Sequence, residues 1–214
     1  MNKFHYNYLT KIKTKLKKFR KFNALNQLDK KMLNYINFSD GYFIECGAND
    51  GINQSNTWHF EKYLNWNGLL IEPLEDKFIE LKKNRSRHNY FYNIALSDSI
   101  DKKSLYIINN NLESKVVDKE NKETNVAKFK STTLTRILEE ISAPKLIDFF
   151  SLDVEGYEEQ VIQGIDFNIY NFQFLLVETK NEKVIKFLKE NNYELVEKMS
   201  HHDYLFKYKE RHLT

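Results

Sequence analysis

The chain has 214 residues, of which 41% are apolar, 14% aromatic and 29% charged, as suits one globular domain with a real core. Two prolines and six glycines exclude collagen-like, mucin-like and Gly/Ser-linker classes, and the single cysteine, Cys46, excludes an intrachain disulfide framework or a Cys-based zinc knuckle. The net charge of +3 is uneven: residues 1–22 hold eight basic side chains and no acid, so the remainder carries −5.

Residues 1–36 read as a basic N-terminal arm ahead of a domain at 37–214. Within the arm, KIKTKLKKFRKF (11–22) sets Ile12, Leu16, Phe19 and Phe22 at helical spacing with lysines between them. Such a stripe either packs on the body or lies against a membrane surface or polyanion. No apolar run approaches the roughly 20 residues of a membrane span, and no secretory signal is visible, so a cytoplasmic location is expected. From residue 41 onward short apolar runs alternate with helical segments. Residues 41–46 (GYFIEC) predict a strand, 55–64 a helix, 68–71 (GLLI) a buried strand, 74–84 a helix and 90–96 (YFYNIAL) a strand. Residues 97–131 are polar and rich in Asn and Lys, with a strand at 104–108, a second candidate at 126–130 and an insert taken as 99–131. A helix at 133–141 stops before Pro144, a strand runs up to Leu152, a short helix covers 156–163, and 172–178 (FQFLLVE) is another buried strand. A helix at 181–191 and a closing hairpin, 193–198 with 203–208, complete the chain. Strand–helix alternation with continuously apolar strands predicts an α/β fold: a mostly parallel sheet with one antiparallel edge strand and helices on both faces.

The residues that carry chemistry fall at predicted strand ends. In FIECGANDG, Gly47 and Gly51 follow Glu45 where a sharp turn would bring a ligand against the main chain. The spacing is not G-x-G-x-x-G, so a pyrophosphate cradle is poorly supported. Glu72 ends the next strand in LLIEP, 21 residues after Gly51, the usual separation for the acid that holds a ribose diol. Ala95-Leu96-Ser97-Asp98 ends the third strand. Asp153 and Glu155 end a fourth, and two carboxylates there are costly without a cation or hydrogen-bond donors nearby.

Together these pieces resemble one family, the FkbM-type S-adenosylmethionine-dependent methyltransferases. The resemblance is carried by FIECGANDGINQSNT, LLIEP, NIALSD, FFSLDVEGYEEQVIQG with the later LLVET, and HHDYLFKY, and it covers about residues 41–208. The D-V-E-G-x-E block followed by Gly164 is its most specific element. Glu45-Cys46 is a departure, because an Asp before a small aliphatic residue is commoner there. The resemblance implies a class I (Rossmann-like) sheet of seven strands and methylation of a hydroxyl group. It also implies a cofactor site in which Glu45 faces the methionine ammonium and Gly47, Ala48, Asn49, Asp50 and Gly51 form the turn beneath. Ser55 and Asn56 would meet the carboxylate end, Glu72 with Pro73 the ribose, Ala95, Leu96 and Asp98 the adenine, and Asp153 the sulfonium.

The expected activity is S-adenosylmethionine-dependent O-methyl transfer to a sugar, glycan or other small polar metabolite. The hydroxyl proton must leave through a base or a metal. Candidates are Asp153, Glu155, Glu178 and the His201-His202-Asp203 cluster, His202 above all. Asp153, Glu155 and Glu178 can also be read as oxygen ligands for Mg²⁺. Residues 97–131 are expected to be too polar to build core and to form a flap over or beside the acceptor pocket. Two other readings are a non-catalytic module docking on a membrane or assembly through the arm, and an RNA methyltransferase. Nucleic acid is disfavoured because the Lys-rich arm lacks the stacking pattern of single-strand readers.

Overall fold

The computed structural model describes residues 21–100, 104–108, 115–117 and 126–210. A 3-10 turn, Leu25–Gln27, leads into helix α1 (Leu28–Met32). Then follow β1 (Tyr42–Cys46), α2 (Trp58–Leu64), β2 (Asn67–Ile71), α3 (Glu75–Asn84), β3 (Tyr90–Tyr92), β4 (Ala95–Leu96), β5 (Ser104–Ile108), β6 (Lys115–Val117) and β7 (Val126–Thr132). The chain continues through α4 (Leu134–Glu140), β8 (Leu146–Leu152), α5 (Glu158–Gln163), β9 (Asn171–Glu178), α6 (Glu182–Glu190), β10 (Tyr193–Lys198) and β11 (Asp203–Tyr208).

Seven strands form the main sheet in the order β10-β11-β9-β8-β1-β2-β3. The strands β3, β2, β1, β8 and β9 pair in parallel, and β11 runs antiparallel between β9 and β10. Successive residues of each central strand enter opposite cores, which is why the runs are continuously apolar. Ile44, Leu69, Phe150 and Leu175 face Ile137, Val161 and Leu188 of α4, α5 and α6. Phe43, Leu70, Phe149 and Phe174 face Leu28, Met32, Phe60 and Leu81 of α1, α2 and α3. Each fully buried phenylalanine contributes roughly 1.5–3 kcal/mol by leaving water.

Two features of the middle of the chain differ from expectation. Residues 90–96 do not form one strand: β3 extends the main sheet, whereas β4 pairs with β7 in a second sheet of order β4-β7-β5-β6. The break falls at Asn93, whose Nδ2 donates to the carbonyls of Glu72 (3.0 Å) and Pro73 (2.8 Å). The insert strands at 104–108 and from 126 form as expected, with β6 added, but the segment is not free of core: Leu105 is fully buried in the main apolar cluster, with Phe129 packed against it.

The arm stripe at Ile12, Leu16 and Phe19 lies outside the described residues. Its described end is attached to the body. Phe22 stacks on His59 at 4.4 Å and 11°, the Lys21 N–H donates to Tyr63 Oη (3.2 Å), and His59 Nδ1 meets the Lys21 carbonyl (2.9 Å). Leu28, Met32 and Ile36, within the segment read as arm, are buried in the second core.

Candidate active site

The site is built where β1 ends. The N–H groups of Gly47 and Ala48 both donate to the Ile71 carbonyl, at 3.1 Å each, folding the chain over the end of β2. Gly47 has φ +80°, and a Cβ there would lie 1.8 Å from the backbone oxygen of Asp153. Only glycine lets this turn rest against the end of β8. Asp50 closes the turn from inside, accepting from the N–H of Ile52 (2.9 Å) and of Asn53 (2.8 Å).

Outside the ends of β1, β2, β4 and β8 lies a cavity of about 310 Å³. One wall is the turn, Gly47 to Asn49 with Asn53 to Ser55; another is Ile71 to Leu74 with Asp76 and Lys77; Ile94 to Leu96 make an apolar end; and Asp153 to Glu155, Tyr157 and Val161 close the far side. Of the residues expected at the cofactor, Gly47, Ala48, Asn49, Ser55, Glu72, Pro73, Ala95, Leu96 and Asp153 line it. Glu72 is buried, accepts from the N–H of Asn49 (2.8 Å) and of Leu74 (2.9 Å), and keeps further lone pairs. Burial raises its carboxyl above the usual range, and those two N–H bonds pull the other way. Asn49 Oδ1 is buried without a hydrogen-bond partner among the described residues.

Glu45 does not face the cavity, contrary to the sequence expectation. Its Oε1 accepts from Asn56 N–H (2.8 Å), and its Oε2 accepts from Ser55 Oγ (2.9 Å), Thr57 Oγ1 (2.5 Å) and Arg85 Nη1 (3.1 Å). Arg85 has a fully buried side chain whose Nε also donates to Glu61 (2.8 Å) and whose Nη2 donates to Thr57 Oγ1 (2.9 Å). Four hydrogen bonds from Arg85, to Glu45, the Gly51 carbonyl, Ser55 Oγ and Thr57 Oγ1, thus fix the 51–57 loop to the end of α3. Asp50, Gly51 and Asn56 likewise shape the loop from behind and are not among the lining residues, and Asp98 is exposed beyond them. Arg85 escaped sequence reasoning because one basic residue after a helix carries no spacing signal.

On the far side, β8 and β9 deliver two carboxylates side by side. Leu152 pairs with Val177, so Asp153 and Glu178 are the next neighbours along parallel strands, close enough for one carboxyl to hydrogen-bond the other when either is protonated. Burial, then the charges of Glu178 and Glu155, hold the Asp153 carboxyl well above its ordinary range. Asp153 Oδ1 is buried with no hydrogen-bond partner among the described residues. Behind the pair, His202 Nε2 lies 3.3 Å from Glu178 Oε1, and both side chains are about one-third exposed. Glu158 turns inward and accepts from the N–H of Val154 (3.2 Å) and Gly156 (2.9 Å), fixing the turn that carries Glu155. The Mg²⁺ site expected at Asp153, Glu155 and Glu178 is not formed: among the described residues no three His, Cys, Asp or Glu side chains are grouped to hold a metal. The described part of 97–131 contributes no residue to the cavity wall. No described helix is long and apolar enough to cross a membrane.

No curated protein sequence matches this chain significantly. Among solved structures, the methyltransferase FkbM from Methylobacillus flagellatus KT is similar, with a TM-score of 0.51 at 12% identity, over 82% of this chain and 45% of that one. At that identity the likeness carries the fold alone, and this chain spans less than half of that protein. A precorrin-6y C5,15-methyltransferase from Geobacter metallireducens GS-15 gives a TM-score of 0.47 at 10% identity, over 85% of each chain. The sequence profile of the methyltransferase FkbM domain matches residues 45–206. That stretch runs from the glycine turn through the Glu72 and Asp153 strand ends to the final hairpin, and with it the chain belongs to the FkbM methyltransferase family, which uses S-adenosylmethionine.

Proposed function

We propose that this protein transfers the methyl group of S-adenosylmethionine to a hydroxyl oxygen of a sugar, glycan or other small polar metabolite. The observation that carries the reading is one cavity with Glu72 on one wall and Asp153 on the opposite side, Glu178 and His202 standing behind Asp153 and outside the lining. The cavity suits the cofactor. It has an apolar end at Ile94 and Leu96 for a base, a carboxylate with spare lone pairs for a diol, and buried acceptors at Asn49 Oδ1 and Asp153 Oδ1 that lack donors among the described residues. The cofactor supplies a methyl group on a positively charged sulfur, an excellent leaving group. The chain's task is therefore alignment and removal of one proton.

Glu72 and the Gly47–Asn49 turn fix the nucleoside end. Asp153 presents an acceptor oxygen where the hydroxyl must lose its proton. Glu178 adjoins Asp153, and the partly exposed His202 Nε2 lies 3.3 Å from Glu178 Oε1, so the line of three side chains offers that proton a path to water. Glu155, exposed and lining the cavity mouth, adds a carboxylate for hydrogen bonds to other hydroxyls of the acceptor. The test is a screen of neutral glycans and polyhydroxyl metabolites with the full chain and S-adenosylmethionine, read by mass spectrometry. A single-methyl gain on a hydroxyl compound supports the reading. Methyl gain confined to amines or RNA overturns it.

A further inference from the structure

Resting on the cofactor reading above, we infer that Asp153 and Glu178 are a proton-exchanging counter-ion for the sulfonium, so that binding of S-adenosylmethionine expels a proton that binding of S-adenosylhomocysteine does not. The placement follows from the sheet. Glu72 follows β2 and Asp153 follows β8, the two strands that flank β1. Two strand spacings separate them by roughly 10 Å. That distance is spanned by a ribose held at Glu72 together with the sulfur one carbon beyond it. The Gly47 turn between them is pressed against the Asp153 carbonyl, which leaves Asp153 as the carboxylate across β1 from Glu72.

The electrostatics give the pair its function. Without a cation, two neighbouring carboxylates favour holding one proton between them; Glu178 is about one-third exposed, and burial of Asp153 together with the Glu178 charge holds the Asp153 carboxyl well above its usual range. The other charges around the pair do not relieve it. Glu155 and Glu158, on the same turn, are negative and add to the repulsion. On the β11 side stands His202, which touches Glu178 and not the cavity wall. Across the cavity the one cation among the described lining residues is Lys77, which is paired with Glu80 at 3.2 Å. Asp153 Oδ1 has no hydrogen-bond donor among the described residues.

A sulfonium beside it favours two ionised carboxylates, and the shared proton leaves through Glu178 and His202 to water. The ionised pair is then a base. Methyl transfer frees one hydroxyl proton and turns the sulfonium into a neutral thioether, and the pair regains one proton as the positive charge disappears. Protons and charge balance over the cycle. The pair thus favours the charged cofactor before transfer and the neutral product after it.

Titration calorimetry on the full chain, in buffers of differing ionisation heat and over a series of pH values, reads the protons exchanged. The expected result is release of about one proton with S-adenosylmethionine, none with S-adenosylhomocysteine, and an affinity for the former that rises by up to about tenfold per pH unit across the titration. Asp153→Asn and Glu178→Gln, both isosteric, should still bind and should lose the release. Equal release with both ligands, or release that persists in both variants, overturns the inference. Failure of the wild-type protein to bind either ligand overturns the cofactor reading itself.

Discussion

Arg85→Met should unfold this protein at a much lower temperature, although Arg85 is not a residue of the cavity wall. The substitution keeps most of the aliphatic volume over the Phe43 ring, where the guanidinium carbon sits 5.2 Å from the centroid. It removes the charge facing Glu45 at 3.1 Å and Glu61 at 2.8 Å. Glu45 retains Asn56 N–H, Ser55 Oγ and Thr57 Oγ1, and Glu61 retains Ser86 N–H and Asn89 Nδ2. Neither carboxylate is stripped of donors, but a buried charge loses its counter-charge, which costs about 3–5 kcal/mol. At about 2–4 °C per kcal/mol for a chain of this size, the melting temperature should fall by roughly 6–20 °C. Thermal unfolding followed by circular dichroism measures it. Adding Glu45→Gln should return part of the loss, because the stranded charge is gone, and should leave the cofactor affinity of the folded protein nearly unchanged. A loss below about 1 kcal/mol would match an exposed ion pair and refute the reasoning.

Three further outcomes follow from the site. Glu72→Ala should weaken S-adenosylmethionine binding by at least about tenfold, since each charge-assisted bond to a ribose hydroxyl contributes about 1.5–3 kcal/mol; calorimetry on a folded variant with unchanged affinity would remove Glu72 from the site. Gly47→Ala should cost more than Gly156→Ala in thermal denaturation: both have positive φ, but a Cβ at 47 meets Asp153 O at 1.8 Å and one at 156 meets nothing within 4 Å, so the second pays only the left-handed cost of about 1–2 kcal/mol. Equal losses would argue against the close approach of the turn to β8. Asp153 is raised by burial and by Glu178, so the folded protein holds a proton the unfolded chain has lost; that stabilisation is complete below the ordinary carboxylate range and disappears as pH rises through the folded value. Cofactor-free Asp153→Asn should therefore gain stability over wild type as pH rises above the ordinary carboxylate range in urea unfolding, and parallel pH curves would contradict the assignment.

The sheet was legible because its strands are buried on both faces. GLLI and FQFLLVE can be little else once helical segments separate them, and β2 and β9 fall on them. Less visible were the places where a side chain competes with the ladder. Asn93 ends β3 by bonding two carbonyls of the Glu72-Pro73 turn, and nothing in YFYNIAL marks that choice. The helix expected from residue 55 begins at Trp58 because Ser55 Oγ accepts the Trp58 N–H, at 3.0 Å, while also bonding Glu45. In the site, Gly47, Glu72 and Asp153 were readable from strand ends, where the chain has few other ways to present a ligand. Glu45 sits at such an end too, but which way its carboxylate turns depends on Arg85, forty residues on. That partner is chosen by packing of α3 against the sheet, and local sequence does not encode it.

The most direct test of the central claim follows the methyl group itself. The full chain is incubated with S-adenosylmethionine carrying a ¹³C-labelled methyl and with a mixture of neutral glycans and small polar metabolites, and the products are examined by carbon-detected NMR. The account predicts new methoxy carbon signals, lost with Glu72→Ala and sharply reduced with Asp153→Asn. Label appearing only on nitrogen or carbon atoms, with no methoxy signal from any hydroxyl compound, would contradict it.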